Sequence, residues 1–286
     1  MIHKCLFPVA GYGTRFLPAT KSSPKEMLPV VNKPLIEYAV QEAVDAGLTR
    51  IGFVTGRGKR AIEDHFDKNY ELEDQIRGTG KEDLIQPTRD LIDACEFSYT
   101  RQKEMKGLGH AILTGETLIG DEPFAVLLAD DLCITNGDGV LMQMVKLFRQ
   151  FRCSIVAVEE VPDNHIHQYG VVAGEPLKDG VVAGELLEDG VYRITDMIEK
   201  PSKEEAPSNH GIIGRYILTP DIFDLLRETP PGKNGELQIT DALKKQAQEG
   251  CVLAYRFKGR RFDCGSIDGF VDATNHCYEK FYKNGL

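Results

Sequence analysis

No apolar run in this 286-residue chain is longer than the one from Phe124 to Ala129, whereas a membrane-spanning helix needs about 20 such residues. A leader pattern is missing too, because Lys4 alone precedes a strand-like segment where a secretory signal would carry a charged start and an apolar stretch. The expectation is a protein that neither crosses membranes nor is secreted, at work in the cytoplasm. Paired-cysteine motifs are also lacking. Cys5, Cys95, Cys133, Cys153, Cys251, Cys264 and Cys277 include no CxxC pair, and an odd number in a chain of this size fits reduced thiols packed as small hydrophobes. Positive charge is scarce: 34 Lys and Arg against 44 Asp and Glu leave a net charge of −10. With no basic block to act as a footprint, nucleic acid is not an expected partner. An anionic substrate would have to be held by a few local cations.

What is present is an ordinary globular composition, 42% hydrophobic and 27% charged, in a chain long enough to bury roughly three quarters of its unfolded surface. Strand-like runs at 4–10, 51–55, 97–101, 124–129 and 153–159 alternate with helical patterns. The clearest helix has Pro34 in its first turn, carries Leu35, Ile36, Ala39, Val40, Glu42, Ala43 and Val44 at helical spacing, and stops at Gly47. This alternation predicts an α/β fold, a Rossmann-like, mostly parallel mixed sheet flanked by helices, with ligands at the C-terminal ends of its strands. From about residue 165 the pattern changes to short β-like pieces with Asp-Gly turn signals, which predict antiparallel hairpins beside the main sheet. Helices follow at 220–228 and 236–249, a strand at 251–258 and a terminal helix from about 266 to 283. Nothing resembles a linker, so the chain reads as one domain in three parts: an alternating α/β half (1–160), a small β-rich lobe (161–264) and a C-terminal helix (265–286). Residues 170–175 recur as 180–185, too short a period for a solenoid, and read as a duplicated strand and turn that lengthens a hairpin.

The most informative stretch runs from Gly11 to Pro29, immediately after the first strand. Gly11 and Gly13 permit a tight turn that brings successive N–H groups close to phosphate oxygens, and Thr14 adds a hydroxyl donor. Arg15, Lys21 and Lys25 follow, a local cation cluster suited to an oligophosphate. Phe16 stands where a dinucleotide fingerprint needs a small residue, and no GKS or GKT is present for a Walker A loop.

Gly11-Tyr12-Gly13-Thr14-Arg15, Pro18, Thr20-Lys21 and Pro24-Lys25-Glu26-Met27-Leu28-Pro29 resemble the signature of sugar-phosphate nucleotidyltransferases. Joined to Lys106-Gly107-Leu108-Gly109-His110-Ala111, Leu128-Ala129-Asp130-Asp131 and Glu199-Lys200-Pro201, they are similar to its bacterial uridylyl-transferring form, in order from residue 2 to about 270. The resemblance implies that UTP and glucose 1-phosphate give UDP-glucose and pyrophosphate by in-line, Mg²⁺-assisted attack without a covalent intermediate. A family member would be a homodimer or a homotetramer, with the terminal helix contributing to the interface.

Roles follow from that reaction. Arg15 suits the departing β and γ phosphates through its fork, and Lys25 the bridging or α-phosphate. The resemblance puts Lys200 at the phosphate of glucose 1-phosphate and Glu199, Gly170 and Asp130 on the sugar side. Asp130, after a buried run, is a natural Mg²⁺ ligand beside phosphates, and Asp263 resembles a second ligand, although an Asp before Gly-Ser is also helix-capping chemistry. The amide of Gln102 can pair with the uracil edge, with Gly107 leaving room for the ring. The resemblance also places Ala10 and Gly11 against the nucleoside and Glu26 near its ribose. His110 reads as structural. His165 and His167 have no third ligand and read as solvated loop histidines. His210 and Gly211 stand where the family carries two apolar residues. Three other functions compete: a sibling transferase of another base or sugar, a non-catalytic sugar-nucleotide sensor and an oxidoreductase. The complete charge-handling set argues against the sensor, and Phe16 against the oxidoreductase.

Overall fold

The computed structural model describes residues 2–177, 181–182, 185–186, 190–232 and 235–283. Its strands longer than two residues are β1 (Lys4–Pro8), β2 (Arg50–Thr55), β3 (Glu96–Arg101), β4 (Phe124–Leu127), β5 (Asp131–Ile134), β6 (Ser154–Glu160), β7 (Gly170–Pro176), β8 (Val191–Glu199), β9 (His210–Leu218), β10 (Val252–Arg256) and β11 (Arg260–Asp263). Nine of these form one mixed sheet in the order β3-β2-β1-β4-β9-β6-β10-β8-β7, and β5 and β11 make a separate antiparallel ribbon. Only β8 and β9 oppose the common strand direction. The mixed α/β architecture with predominantly parallel strands is therefore as expected.

Period-2 alternation sorts the core into two layers. Cys5, Phe7 and Val9 of the first strand region face one cluster while Leu6 faces the other, and Ala125 and Leu127 divide from Phe124 and Val126 in the same way. The first layer is covered by α1 (Leu35–Asp45) and α3 (Val140–Phe151), the second by α2 (Leu108–Thr114), α4 (Ile222–Glu228) and α5 (Ile239–Glu249). Helix α1 begins after Pro34 and buries Leu35, Ile36, Ala39, Val40 and Ala43. α6 (Ile267–Cys277) continues into a π-helical turn, Tyr278–Tyr282.

The antiparallel pair expected from about residue 165 is present as β7 and β8 at one edge of the main sheet. The strand that the sequence pattern did not predict is β9, which is inserted into the middle of the sheet, between β4 and β6, and whose first residues also pair with β7. The strand is buried on both faces from Gly211 to Leu218, so it lacks the alternation that marks a half-exposed strand. Its neighbour β4 ends just before Asp130, and Asp131 opens the ribbon. Of the second repeat copy, Val181–Val182 pairs antiparallel with Glu185–Leu186; Asp179, Gly180 and Asp189, on which the turn predictions fall, lie outside the described residues.

Candidate active site

Two cavities of about 300 and 330 Å³ open where the parallel strands end. Among their lining residues, Leu108, Leu128, Asp130 and Glu236 belong to both. The first cavity is walled by Arg15, Asp130, Gly170, Glu199, Lys200 and Asp263. The second is walled by Ala10, Gly11, Lys25, Glu26, Gln102 and Gly107. Gly13 and Thr14 line neither: Thr14 is exposed, and Gly13 packs behind the side chain of Lys25. A wider recess of about 600 Å³ beside Asp138, Lys258 and His276 contains none of the signature residues.

Electrostatics centre on Asp130. Its Oδ2 lies 2.5 Å from Lys25 Nζ. Burial would by itself push the Asp130 carboxyl up, but Lys25, with Arg261 further off, holds it below the usual carboxylate range. Burial opposes the charge on Lys25 as well, yet Asp130 and Glu26 hold its ammonium above the ordinary lysine value. Behind them, Glu26 is 2% exposed and accepts from Lys59 Nζ at 2.6 Å. Burial pushes Glu26 up and Lys59 down, and each opposes the shift of the other. The carboxylate of Glu26, expected near the ribose, is thus committed to Lys59.

The next residue anchors the loop. Asp131 Oδ2 accepts from the Gly214 backbone at 2.8 Å and its Oδ1 from Arg261, which also reaches Glu159 and the Tyr169 hydroxyl. Arg215, 1% exposed, holds Glu42 and donates to the carbonyls of Leu128 and Asp131. Arg215 therefore fixes the backbone on either side of Asp130, while Arg261 holds the Asp131 side chain. Asp263 arrives by ribbon register, opposite Asp131, and Cys264 N donates to Asp130 O at 2.7 Å. The cap of α6 is Ser266, not Asp263: its side chain accepts from Gly269 N. Asp263 Oδ1 instead accepts from Gly265 N at 3.0 Å.

A Cβ built on Gly265 would stand 3.0 Å from both Asp130 Oδ2 and Asp263 Oδ1, with Arg15 Nη1 at 3.5 Å. Two carboxylate oxygens thus converge beside a cation of the glycine loop. This hard-oxygen pair fits Mg²⁺, which takes one or two carboxylates and completes its octahedron with water and phosphate. No group of three metal-ligating side chains occurs among the described residues, so a metal here would depend on substrate oxygens. His165 and His167 flank Ile166 in a short 3₁₀ turn, outside both cavities.

In the first cavity Gly170 sits opposite Glu199 in the β7–β8 ladder. Glu199 Oε2 accepts from Thr240 Oγ1 at 3.1 Å, and Lys200 Nζ stands 3.6 Å from Glu199 Oε1. Gly211 packs against Val161 and Tyr169, so this departure from the family pattern contributes to the wall behind the cavity. Across the cleft, Gln102 is 6% exposed. Gly107 has φ +89°, and a Cβ there would meet Glu236 Cβ at 2.8 Å and Leu237 O at 2.9 Å; only glycine suits both constraints.

Sequence reasoning did not single out Arg261, Arg215, Glu236 or Thr240. Asp131 lay inside a quoted motif and gave a signal; a lone Arg or Glu far along the chain gave none.

The family model for nucleotidyl transferases matches residues 8–280. A UTP–glucose-1-phosphate uridylyltransferase of Pseudomonas aeruginosa is 68% identical over 286 residues, covering 100% of this chain and 99% of the relative. The crystal structure of an apo UDP-glucose pyrophosphorylase superposes with a TM-score of 0.91 at 59% identity, covering 98% of this chain and 99% of the other. A UDP-glucose pyrophosphorylase complexed with UDP-glucose gives 0.88 at 58% identity, covering 98% and 100%. No described helix is long and apolar enough to cross a membrane.

Proposed function

The chain belongs to the nucleotidyl transferase family, and from that premise we propose that it converts UTP and glucose 1-phosphate into UDP-glucose and pyrophosphate. The observation that carries this reading is that the nucleotide-side and sugar-side cavities meet at Asp130. That is where two phosphates must approach for one to attack the other.

A phosphate oxygen of glucose 1-phosphate forms a bond to the α-phosphorus of UTP as the bond from that phosphorus to the bridging oxygen breaks. Pyrophosphate leaves with the electron pair. The incoming phosphate is already anionic, so the protein supplies orientation and charge neutralisation. Lys25 neutralises the α-phosphate, Arg15 the departing pyrophosphate and Lys200 the sugar phosphate. Glu199 accepts from sugar hydroxyls, with Gly170 leaving space for the ring. Ala10, Gly11 and Gly107 line the base pocket, and Gln102 reads the uracil edge. Asp130 and Asp263 would hold Mg²⁺, which when bound screens the phosphate charges and favours the in-line geometry.

The remaining assignments follow. Gly13 and Thr14 supply phosphate contacts from the glycine loop, and Glu26 supports the nucleoside through its pair with Lys59. The protein works in the cytoplasm as a homodimer or homotetramer. Ile267, Val271, Tyr278 and Phe281 stand exposed at helical spacing on one face of the terminal helix, an apolar stripe suited to a second copy of the chain.

The test is pyrophosphate release from each of the four ribonucleoside triphosphates and dTTP, with glucose 1-phosphate and Mg²⁺. UTP should be the best donor. UDP-glucose binding without turnover would select the sensor reading, and preferred release from a purine nucleotide would move the chain to a sibling activity.

A further inference from the structure

We propose that His110 is a positioning residue for base selection, holding the Gln102 side-chain amide in the orientation that presents an oxygen to the nucleotide cavity. The proposal deepens the reading above and rests on it for the identity of the base.

The argument is a count of hydrogens. Gln102 Nε2 carries two. It donates one to Gly107 O at 3.3 Å, and Nε2 stands 2.8 Å from His110 Nδ1. If the second hydrogen goes to His110, Nδ1 must accept, and the ring proton resides on Nε2. Burial, with Lys106 adding to it and Glu104 opposing, moves the His110 pKa below its ordinary value, which favours the neutral ring that such an acceptor requires. With both amide hydrogens occupied, Oε1 is the polar atom of the Gln102 side chain left to meet a ligand.

An amide oxygen there matches N3–H of uracil. Cytosine has a bare nitrogen acceptor at that position, so the two lone pairs would face each other. A freely rotating glutamine serves either base equally well, since a half-turn exchanges its donor for its acceptor. The backbone of Gln102 is fixed by its own N–H, which donates to Thr55 O at 2.9 Å. The longer bond to Gly107 restrains the side chain weakly, and the shorter contact with His110 completes the restraint. His110 rides on α2, whose entry is set by Gly107 and by Gly109 N donating to Leu237 O at 2.9 Å. Its ring is therefore built into the scaffold.

The experiment measures kcat/KM for UTP and CTP, and KM for glucose 1-phosphate, in wild type, His110→Leu, His110→Asn and Gln102→Ala. Leucine removes the acceptor; asparagine returns a carbonyl oxygen near the place of Nδ1. The UTP-to-CTP preference should narrow about five- to tenfold in His110→Leu, mainly through KM for UTP, with KM for glucose 1-phosphate unchanged and the preference largely restored in His110→Asn. In the double variant with Gln102→Ala, His110→Leu should add no further narrowing. A preference in folded His110→Leu within twofold of wild type overturns the proposal. Should that variant not fold, nitrogen NMR of the wild-type imidazole decides: an unprotonated Nδ1 at pH 7.5 supports the assignment, and a protonated Nδ1 overturns it. Wild type that fails to release pyrophosphate from UTP would instead overturn the functional reading.

Discussion

Lys25 Nζ and Asp130 Oδ2, 105 residues apart in sequence, are joined by a 2.5 Å ion pair at the junction of the two cavities. Each is largely shielded, with 22% and 27% of its side chain exposed. The pair keeps two groups charged in a site where burial opposes both charges. On the proposed function, a phosphate at Lys25 and a cation at Asp130 would replace this internal neutralisation with an external one.

Replacing Lys25 by Ala should lower turnover about a hundredfold, equivalent to roughly 3 kcal/mol of transition-state stabilisation. Arg15→Ala should do the same, and activity within threefold of wild type in both variants would refute their roles. Stability separates the two. Asp130 is depressed in the folded state, so its contribution is present above about pH 4 and is lost as pH falls through its folded value. Lys25 is raised, so its contribution is present below about pH 10 and is lost as pH climbs through its folded value. The Tm difference between wild type and Lys25→Ala should accordingly be greatest between those limits and shrink in acid. Arg15, which donates to the Gly265 carbonyl at 3.3 Å, is outside this ion pair, so Arg15→Ala serves as the control in the same comparison.

Asp130→Asn keeps the shape of the side chain and removes its charge. Activity should fall and the Mg²⁺ concentration for half-maximal rate should rise, with a smaller change in Asp263→Asn. An unchanged Mg²⁺ titration in Asp130→Asn would place the metal elsewhere.

Gly170→Ala tests the proposed sugar wall. The added Cβ would lie 2.6 Å from Thr240 Cγ2 and 3.1 Å from Glu199 Oε2, so the contact between Thr240 and Glu199 must shift. KM for glucose 1-phosphate should rise several-fold while KM for UTP holds. Equal effects on both substrates would mean that general overpacking, about 1–3 kcal/mol, explains the variant.

Cys251 should be the thiol that alkylates first. Its Sγ receives a hydrogen bond from Cys153 Sγ at 3.3 Å, which, against burial and with help from Arg193, brings it down to about 7. Cys95, Cys133 and Cys264 are instead pushed up by burial. Peptide mapping after brief iodoacetamide exposure should show Cys251 reacting at a lower pH than the other thiols, and Cys153→Ala should move its midpoint up. Uniform labelling across the seven thiols would contradict this order.

Much of this molecule was local enough to read in the sequence. Pro34 and Gly47 delimit a helix because proline and glycine act on their own backbone, and the glycine loop was conspicuous because its cations follow within a few residues. The place of Asp130 in the crevice was legible because it follows a buried run that ends at the C-terminal ends of the parallel strands, and it lines both cavities. Only the tertiary structure could decide what surrounds it. Strand β9 carries no alternation because both its faces are buried, so its place between β4 and β6 is set by long-range pairing. Arg215 and Arg261 fix the Asp130 loop from 85 and more residues away, and Asp263 reaches it through ribbon register. The same holds for the 2.8 Å contact that gives His110 a role beyond packing. A side chain's type announces the chemistry it can do, whereas its partner, and hence its charge state and orientation, is a property of the folded chain.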